Sequence, residues 1–254
     1  MLPDPAGPES SPSGAGPVLV IGGTRGTGQE IVSRLLRDGY EVRALARNPS
    51  VARTVLDPRV RIAEGDVTKA ETLPAALAGA AHVVFTAGVT KRPASECSII
   101  AVEYQGVVNT LAAAKATGFS GRFLYMTAIG VTRHSIASIV LNLIKGNTLK
   151  WRRRAEEEIR ASGMDYAIVR CGVLTNGDPG RAVELSQRDL PMSLRRRISR
   201  NAAAEVFVQA LRHLATRRTT FEVAWSKRQH PDSWQTLFSR LTSDVGVDAG
   251  HTGR

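Results

Sequence analysis

This chain of 254 residues is poor in cysteine, lysine and aromatic residues, and each shortage removes a class of protein. Two cysteines, Cys97 and Cys171, are too few for a disulfide framework, and neither belongs to a CxxC pair. Such usage fits a reducing compartment, and we expect the cytoplasm. The five histidines, His82, His134, His213, His230 and His251, are scattered, so no metal site is expected. The longest apolar run, "IASIVLNLI" from Ile136 to Ile144, is interrupted by Ser138 and Asn142. It is far shorter than the roughly 20 residues that cross a bilayer. Lysine occurs only six times, so the formal charge of +11 rests on arginine. That excess points to an anionic partner (nucleic acid, acidic lipid or a phosphate-bearing ligand) or simply to a solvated basic surface.

What is present is an alternation. Residues 1–17, "MLPDPAGPESSPSGAGP", lack the basic start and apolar core of a signal peptide and read as a disordered leader. From there "VLVI", "EVRALA", "VRIAEG", "HVVFTAG", "RFLYMTA", "YAIVR" and "TFEVAW" are short, apolar and bounded by turn residues, as strands are. Helical stripes lie between them over 29–37, 95–117, 149–162 and 201–215. The alternation predicts one α/β domain over 18–243: a Rossmann-type, doubly wound parallel sheet of about seven strands. A small C-terminal portion is expected on the substrate side, and 244–254 as a flexible tail.

The first strand runs into "GGTRGTG", Gly22-Gly23-Thr24-Arg25-Gly26-Thr27-Gly28, and a helical stripe follows. In this context the glycines predict a dinucleotide site. Gly22 makes the tight turn, Gly26 lets the backbone approach a pyrophosphate, and Gly28 packs the helix on the strand. The helix N-terminus then offers free N–H groups to phosphate. An NAD site usually carries an acid about 20 residues further on for the ribose 2′-hydroxyl. Here the second strand ends in Ala46-Arg47, without an acid. Arg47, with Arg25 from the loop, suits a 2′-phosphate and so NADP(H); the alternative for each is a plain surface arginine. Asp66 after the third strand is a candidate for the adenine amino group, with Val67 against the ring; the alternative is an Asp capping the next helix. Thr86-Ala87-Gly88 ends the fourth strand with small residues over which a cofactor could pass.

These motifs, with "EYQGVVNTLAAAKATG", "RFLYMTAIGV", "WRRRAEEEIRASGMDYAIVRCGVL" and "RRISRNAAAEVFVQAL", resemble the NmrA-like, atypical branch of the short-chain dehydrogenase/reductases over most of 18–240. The resemblance implies NADP(H) as cofactor. It also implies that Thr127, in the place of the family's Ser-Ser pair, and Arg152, in the place of a Lys that touches the nicotinamide ribose, are the catalytic and cofactor-binding candidates. "RCG", Arg170-Cys171-Gly172, replaces the family's "RPG".

No tyrosine pairs with a lysine four residues on: Tyr40 leads to Ala44, Tyr104 to Val108, Tyr125 to Ile129 and Tyr166 to Arg170. A Tyr-x-x-x-Lys proton donor is therefore absent. Glu156, Glu157 and Glu158 are expected to form i,i+4 ion pairs on a solvated helix face. The clusters "WRRR" and "LRRRISR" are read as solvated surface or as a rim attracting an acidic substrate, in preference to a nucleic-acid face. "IASIVLNLI" is read as an apolar lid over the substrate or as an ordinary core helix. The leading expectation is an NADPH-dependent reductase of a small apolar or aromatic substrate. The alternatives are a non-catalytic NADP(H)-binding sensor or assembly factor, and an epimerase or dehydratase that retains its cofactor.

Overall fold

The computed structural model describes residues 16–245 apart from 91–92, 134, 178–180 and 227–231. Residues 1–15 of the expected leader and 246–254 of the expected tail lie outside the described residues. The amino-terminal half runs β1 (Val18–Ile21), α1 (Gly26–Arg37), β2 (Val42–Ala46), α2 (Pro49–Val55), β3 (Arg61–Glu64), α3 (Leu73–Leu77), β4 (His82–Phe85), α4 (Glu96–Ile99), α5 (Gly106–Ala116) and β5 (Arg122–Ala128). Then come α6 (Ile136–Ile144), α7 (Thr148–Ala161), β6 (Asp165–Cys171), β7 (Val173–Thr175), β8 (Val183–Ser186), β9 (Arg197–Ser199), α8 (Arg200–Arg212), β10 (Thr219–Trp225) and α9 (Trp234–Phe238).

All seven expected strands form. They belong to an eight-stranded sheet of order β3-β2-β1-β4-β5-β6-β10-β8. The eighth member, β8, runs antiparallel to β10 at the edge, and β7 pairs with β9 in a separate two-stranded sheet. These three short strands are not among the expected ones, because VLT, VELS and RIS hold no run of buried apolar residues like that of β1 or β4.

Both faces of the sheet are covered. Ile31, Leu35, Phe207 and Phe221 pack in the layer beneath α1 and α8. Leu73, Phe85, Phe123, Tyr125 and Ile159 fill the layer beneath α3, α5 and α7. Strand interiors buried on both sides explain the unbroken apolar runs from which the strands were read.

Two helical expectations change. The helix expected over 95–117 is interrupted by a π-helical turn at Ile100–Gln105, and there Glu103 is fully buried. Glu156, expected on a solvated face, is also fully buried, between Arg170 (2.7 Å) and Arg160 (2.9 Å). Sequence spacing could not show that Arg170 points from β6 at the same face of α7. Only Glu157 makes the expected exposed i,i+4 pair, with Arg153.

The elements nearest the carboxyl end of β5 come from residues 129–150 and from the loop leading to β9, where Ser135 Oγ donates to the Met192 carbonyl. The chain after α9 instead returns to the amino-terminal end of β6 and β10. There Asp244 accepts from the Tyr166 hydroxyl (3.0 Å) and the Thr220 hydroxyl (2.6 Å). Asp244, placed at the start of the expected tail, is thus tied to the sheet.

Candidate dinucleotide site

The strand order reverses at β1: the chain adds β2 and β3 on one side, then β4 and β5 on the other. A crevice at such a switch point, outside the carboxyl ends of the strands, is where this architecture binds ligands. The glycine loop, Arg47, Asp66, Thr86–Gly88 and Thr127 all follow or close parallel strands at that one edge.

The loop has the shape its glycines predict. Gly22 has φ +87°, and a Cβ there would stand 2.7 Å from the Ala87 nitrogen. A Cβ on Gly28 would stand 2.2 Å from the Gly22 carbonyl oxygen, so α1 can lie this close to β1 only without a side chain. Gly23 is wedged between Val20 and Val32. Arg25 occupies the N-cap of α1 in extended conformation and makes no side-chain cap, and the first turn holds no acid. The helix therefore presents open N–H groups and an uncompensated positive end. Thr24 is half-buried in the same loop, and Thr27 is buried with its hydroxyl unpartnered among the described residues.

The cations lie around this loop. Arg25 and Arg47 are both exposed, and neither guanidinium is engaged by another described residue. A third was missed in the sequence. Arg200, the last residue of "LRRRISR", opens α8, and its Nε lies 3.6 Å from the position of a Gly26 Cβ; its guanidinium is held by Asn176. Helices α1 and α8 run side by side and are joined by Arg34–Glu205 (3.3 Å) and Arg212–Asp38 (3.1 Å), so both N-termini meet at the crevice. Two distant segments create this juxtaposition, and no local signal announces it.

The other sequence candidates divide. Asp66 Oδ1 accepts from the Thr68 backbone and hydroxyl, both at 2.9 Å, a local turn that leaves Oδ2 open. Val67 is 7% exposed and packs on Gly106. Thr86 uses its hydroxyl to tie β4 to the Ile21 carbonyl (3.0 Å), and Ala87 lies under Gly22. Gly88 makes room for a buried pair: a Cβ there would stand 2.9 Å from an Arg152 nitrogen and 3.2 Å from a Glu103 oxygen.

Arg152 does reach the crevice from α7, but its charge is already paired. Its Nε donates to Glu103 Oε2 at 2.8 Å, and another nitrogen to the Met126 carbonyl at 3.2 Å. Glu103 also accepts from the Val89 backbone at 2.9 Å and from the Thr148 hydroxyl. Burial works against both charges, yet the mutual attraction outweighs it, holding the Glu103 carboxyl below and Arg152 above their ordinary ranges. Thr127 is 3% exposed, beside this pair on β5, and its hydroxyl has no partner among the described residues. Burial pushes the Tyr125 hydroxyl well above its usual range and the Cys171 thiol up to about 12, so neither releases a proton near neutrality.

The basic cluster around Trp151 is internally satisfied. Its indole donates to Glu96 at 2.8 Å, and its ring is covered by Tyr104, Lys150 and Arg154. A cleft of about 570 Å³ lined by Lys115, Phe119, Asp165, Arg217 and Arg218 opens at the amino-terminal ends of β5 and β6, the far edge from the glycine loop.

The residues fit a dinucleotide on the structure's own terms. Gly22 and Gly28 clear a cradle, two free arginines and two helix N-termini face it, and two buried hydroxyls await partners. Comparison with known proteins agrees: residues 22–214 match the family model described as NAD(P)H-binding, and the chain belongs to that family.

Among curated relatives, an uncharacterised chloroplast protein of Arabidopsis thaliana is 30% identical over 233 residues, covering 88% of this chain and 82% of its own length. Protein TIC 62 of pea, Pisum sativum, is 30% identical over 173 residues, 61% of this chain but 32% of the pea protein. The photosystem II assembly factor Ycf39 of Cyanophora paradoxa is 31% identical over 156 residues, 61% of this chain and 45% of its own. The chain therefore spans a third to under a half of these last two. Among solved structures, the fold matches ChuY, an anaerobillin reductase of Escherichia coli O157:H7 (TM-score 0.70, 20% identity, 84% of this chain and 99% of that one). It also matches a short-chain dehydrogenase/reductase of Veillonella parvula in complex with NADP (TM-score 0.66, 17% identity, 86% and 99%).

Proposed function

We propose that the protein is an NADPH-dependent reductase of a small apolar or aromatic substrate, with hydride transfer beside Thr127. The observation that carries this reading is the buried, unpartnered Thr127 hydroxyl at the carboxyl end of β5. A buried hydroxyl without a partner costs stability, and a ligand that completes it recovers that cost.

When bound, NADPH supplies a hydride to a polarised C=O, C=C or C=N bond and leaves as NADP⁺, with a solvent proton completing the reduction. The chain's own residues bind and orient. The α1 N-terminus and Arg200 take the pyrophosphate, and Arg25 and Arg47 take the 2′-phosphate in preference to a bare ribose. Asp66 Oδ2 accepts from the adenine amino group. Thr127 donates to the nicotinamide or to the substrate oxygen. Arg152 is a positioning residue: it clamps the Met126 carbonyl and fills the space below Gly88. Ile129 and Val131, with Met192 against Gly130, supply apolar surface on the substrate side. The bound NADP of the Veillonella relative and the reductase activity named for ChuY point the same way. Two unpaired thiols, Cys97 and Cys171, support a reducing compartment, with the cytoplasm as the simplest case.

One observation favours a second reading, a non-catalytic NADP(H)-binding sensor or assembly factor such as the Ycf39 relative is named to be. Arg152, Tyr125 and Cys171 are all held in one protonation state near neutrality, so none of these three shuttles a proton.

The test is NADPH consumption with a panel of quinones, aromatic aldehydes and enones, run beside fluorescence titrations with NADPH and NADP⁺. Turnover that collapses in Thr127→Val supports the reductase. Binding of both redox forms with no turnover on any acceptor supports the second reading.

A further inference from the structure

Helix α6 is amphipathic in the wrong sense for a folded core. Its inward side is polar: Ser138 is fully buried and closes a capping box with Ser135, and Asn142 accepts from the Leu149 backbone at 2.9 Å. Its outward side is apolar. Ile136, Ile139, Val140, Leu143 and Ile144 share one stripe and are 83, 53, 47, 80 and 49% exposed. The core-helix reading of "IASIVLNLI" does not hold, because Ile136 and Leu143 stand at least four-fifths exposed and the other three about half exposed. Leu194, 67% exposed, extends the patch from the neighbouring loop, which Ser135 ties to α6 through Met192.

The charges along the chain on either side of this stripe are mostly positive. Between Glu103 and Glu156 the chain carries eight Lys and Arg and no acid; between Asp189 and Glu205 it carries four Arg and no acid. Arg133 and Lys150 are exposed and close to α6 in the chain, and Arg195 and Arg197 are exposed in and beside the loop that Ser135 ties to α6. Two acids lie near it: Asp189, paired with Arg170 and bonded by Thr132, and Glu96, which accepts from the Trp151 indole and keeps its charge.

We propose that this face docks on an anionic phospholipid surface, with α6 lying in the plane of the interface. A projecting apolar stripe flanked by arginine and lysine is the pattern of interfacial helices. Nine residues, about 13 Å of helix, are too short to cross, and no described helix is long and apolar enough to do so. A second copy is the poorer occupant, because stripe-to-stripe packing would press two rims with an excess of positive charge together. The proposal is independent of the reductase reading, since it concerns a face that holds none of the residues assigned to the nucleotide.

The test is flotation of the full-length protein with phosphatidylcholine vesicles, with and without phosphatidylglycerol. Recovery with the anionic vesicles only, weakened by salt, is the expected result. Ile136→Ser with Leu143→Ser should abolish it while leaving the thermal midpoint and NADPH affinity unchanged. Arg133→Glu with Arg195→Glu should weaken it on anionic vesicles by about tenfold or more, given the contribution of each surface cation. Flotation with neither vesicle, or flotation insensitive to both variants, overturns the proposal. So does a dimer by light scattering that the serine pair dissolves, which would assign the face to self-association.

Discussion

Arg152 Nε and Glu103 Oε2 meet at 2.8 Å beneath Gly88, joining α7 to the π-helical turn before α5. The cation that stands in the family's lysine place is thus held inside the fold, and it shapes the floor of the crevice before any ligand arrives. Glu103 is fully buried, so the pair is structural first.

Breaking the pair should be costly. Arg152→Ala leaves a buried carboxylate without its cation and should cost about 3–5 kcal/mol in urea unfolding. Replacing both partners, Arg152→Met with Glu103→Met, should recover most of that loss. A single variant near wild-type stability would show that water reaches Glu103.

Thr127→Val should behave in the opposite way. The hydroxyl has no partner to lose, so stability should hold or rise by about 1 kcal/mol. Nucleotide affinity or turnover should fall in the same variant. A drop in thermal midpoint would mean that the hydroxyl has a partner inside the fold.

The three arginines around the glycine loop should separate by titration. Arg25→Ala and Arg47→Ala should weaken NADPH about tenfold or more with little effect on NADH, the loss of one charge-assisted bond each. Arg200→Ala, over Gly26, should weaken both nucleotides alike. Equal losses for NADPH and NADH in Arg47→Ala would remove the 2′-phosphate assignment.

Glu222 gives a pH dependence. It is 2% exposed on β10, one oxygen accepts from the Leu190 backbone at 2.7 Å and the other has no partner among the described residues; burial pushes its pKa up to about 7. The raised value means that the folded state holds this proton after the unfolded chain has lost it. The contribution is fully present below the ordinary glutamate value, falls as pH rises, and is gone above about 7. The loss should be on the order of 3 kcal/mol or slightly more. Urea midpoints measured from pH 4 to pH 8 (about the span of the two values) should decline, and Glu222→Gln should flatten the decline.

The two thiols should differ in reactivity. Cys97 is exposed and Cys171 is buried, with its pKa pushed up to about 12. A disulfide reagent should modify one thiol quickly in the native protein and the second only on unfolding.

Much of the site was legible in the chain because it is local. Gly22, Gly26 and Gly28 must follow a strand and open a helix within a few residues, and Arg25 and Arg47 lie at the ends of elements that the apolar runs locate. Sequence alone determined the sheet, its order of elements and the dinucleotide loop, since backbone sterics and burial on both faces act over short stretches. Tertiary structure decided the rest. Arg200 reaches Gly26 because α8 runs beside α1, Glu156 and Arg170 are buried because α7 crosses β6, and Val67 turns inward because Gly106 leaves it room. It also turned the apolar stripe of α6 outward, by anchoring Ser138 and Asn142 instead. A hydrophobic pattern says that a helix has two faces, and only the neighbours it packs against determine which face meets solvent.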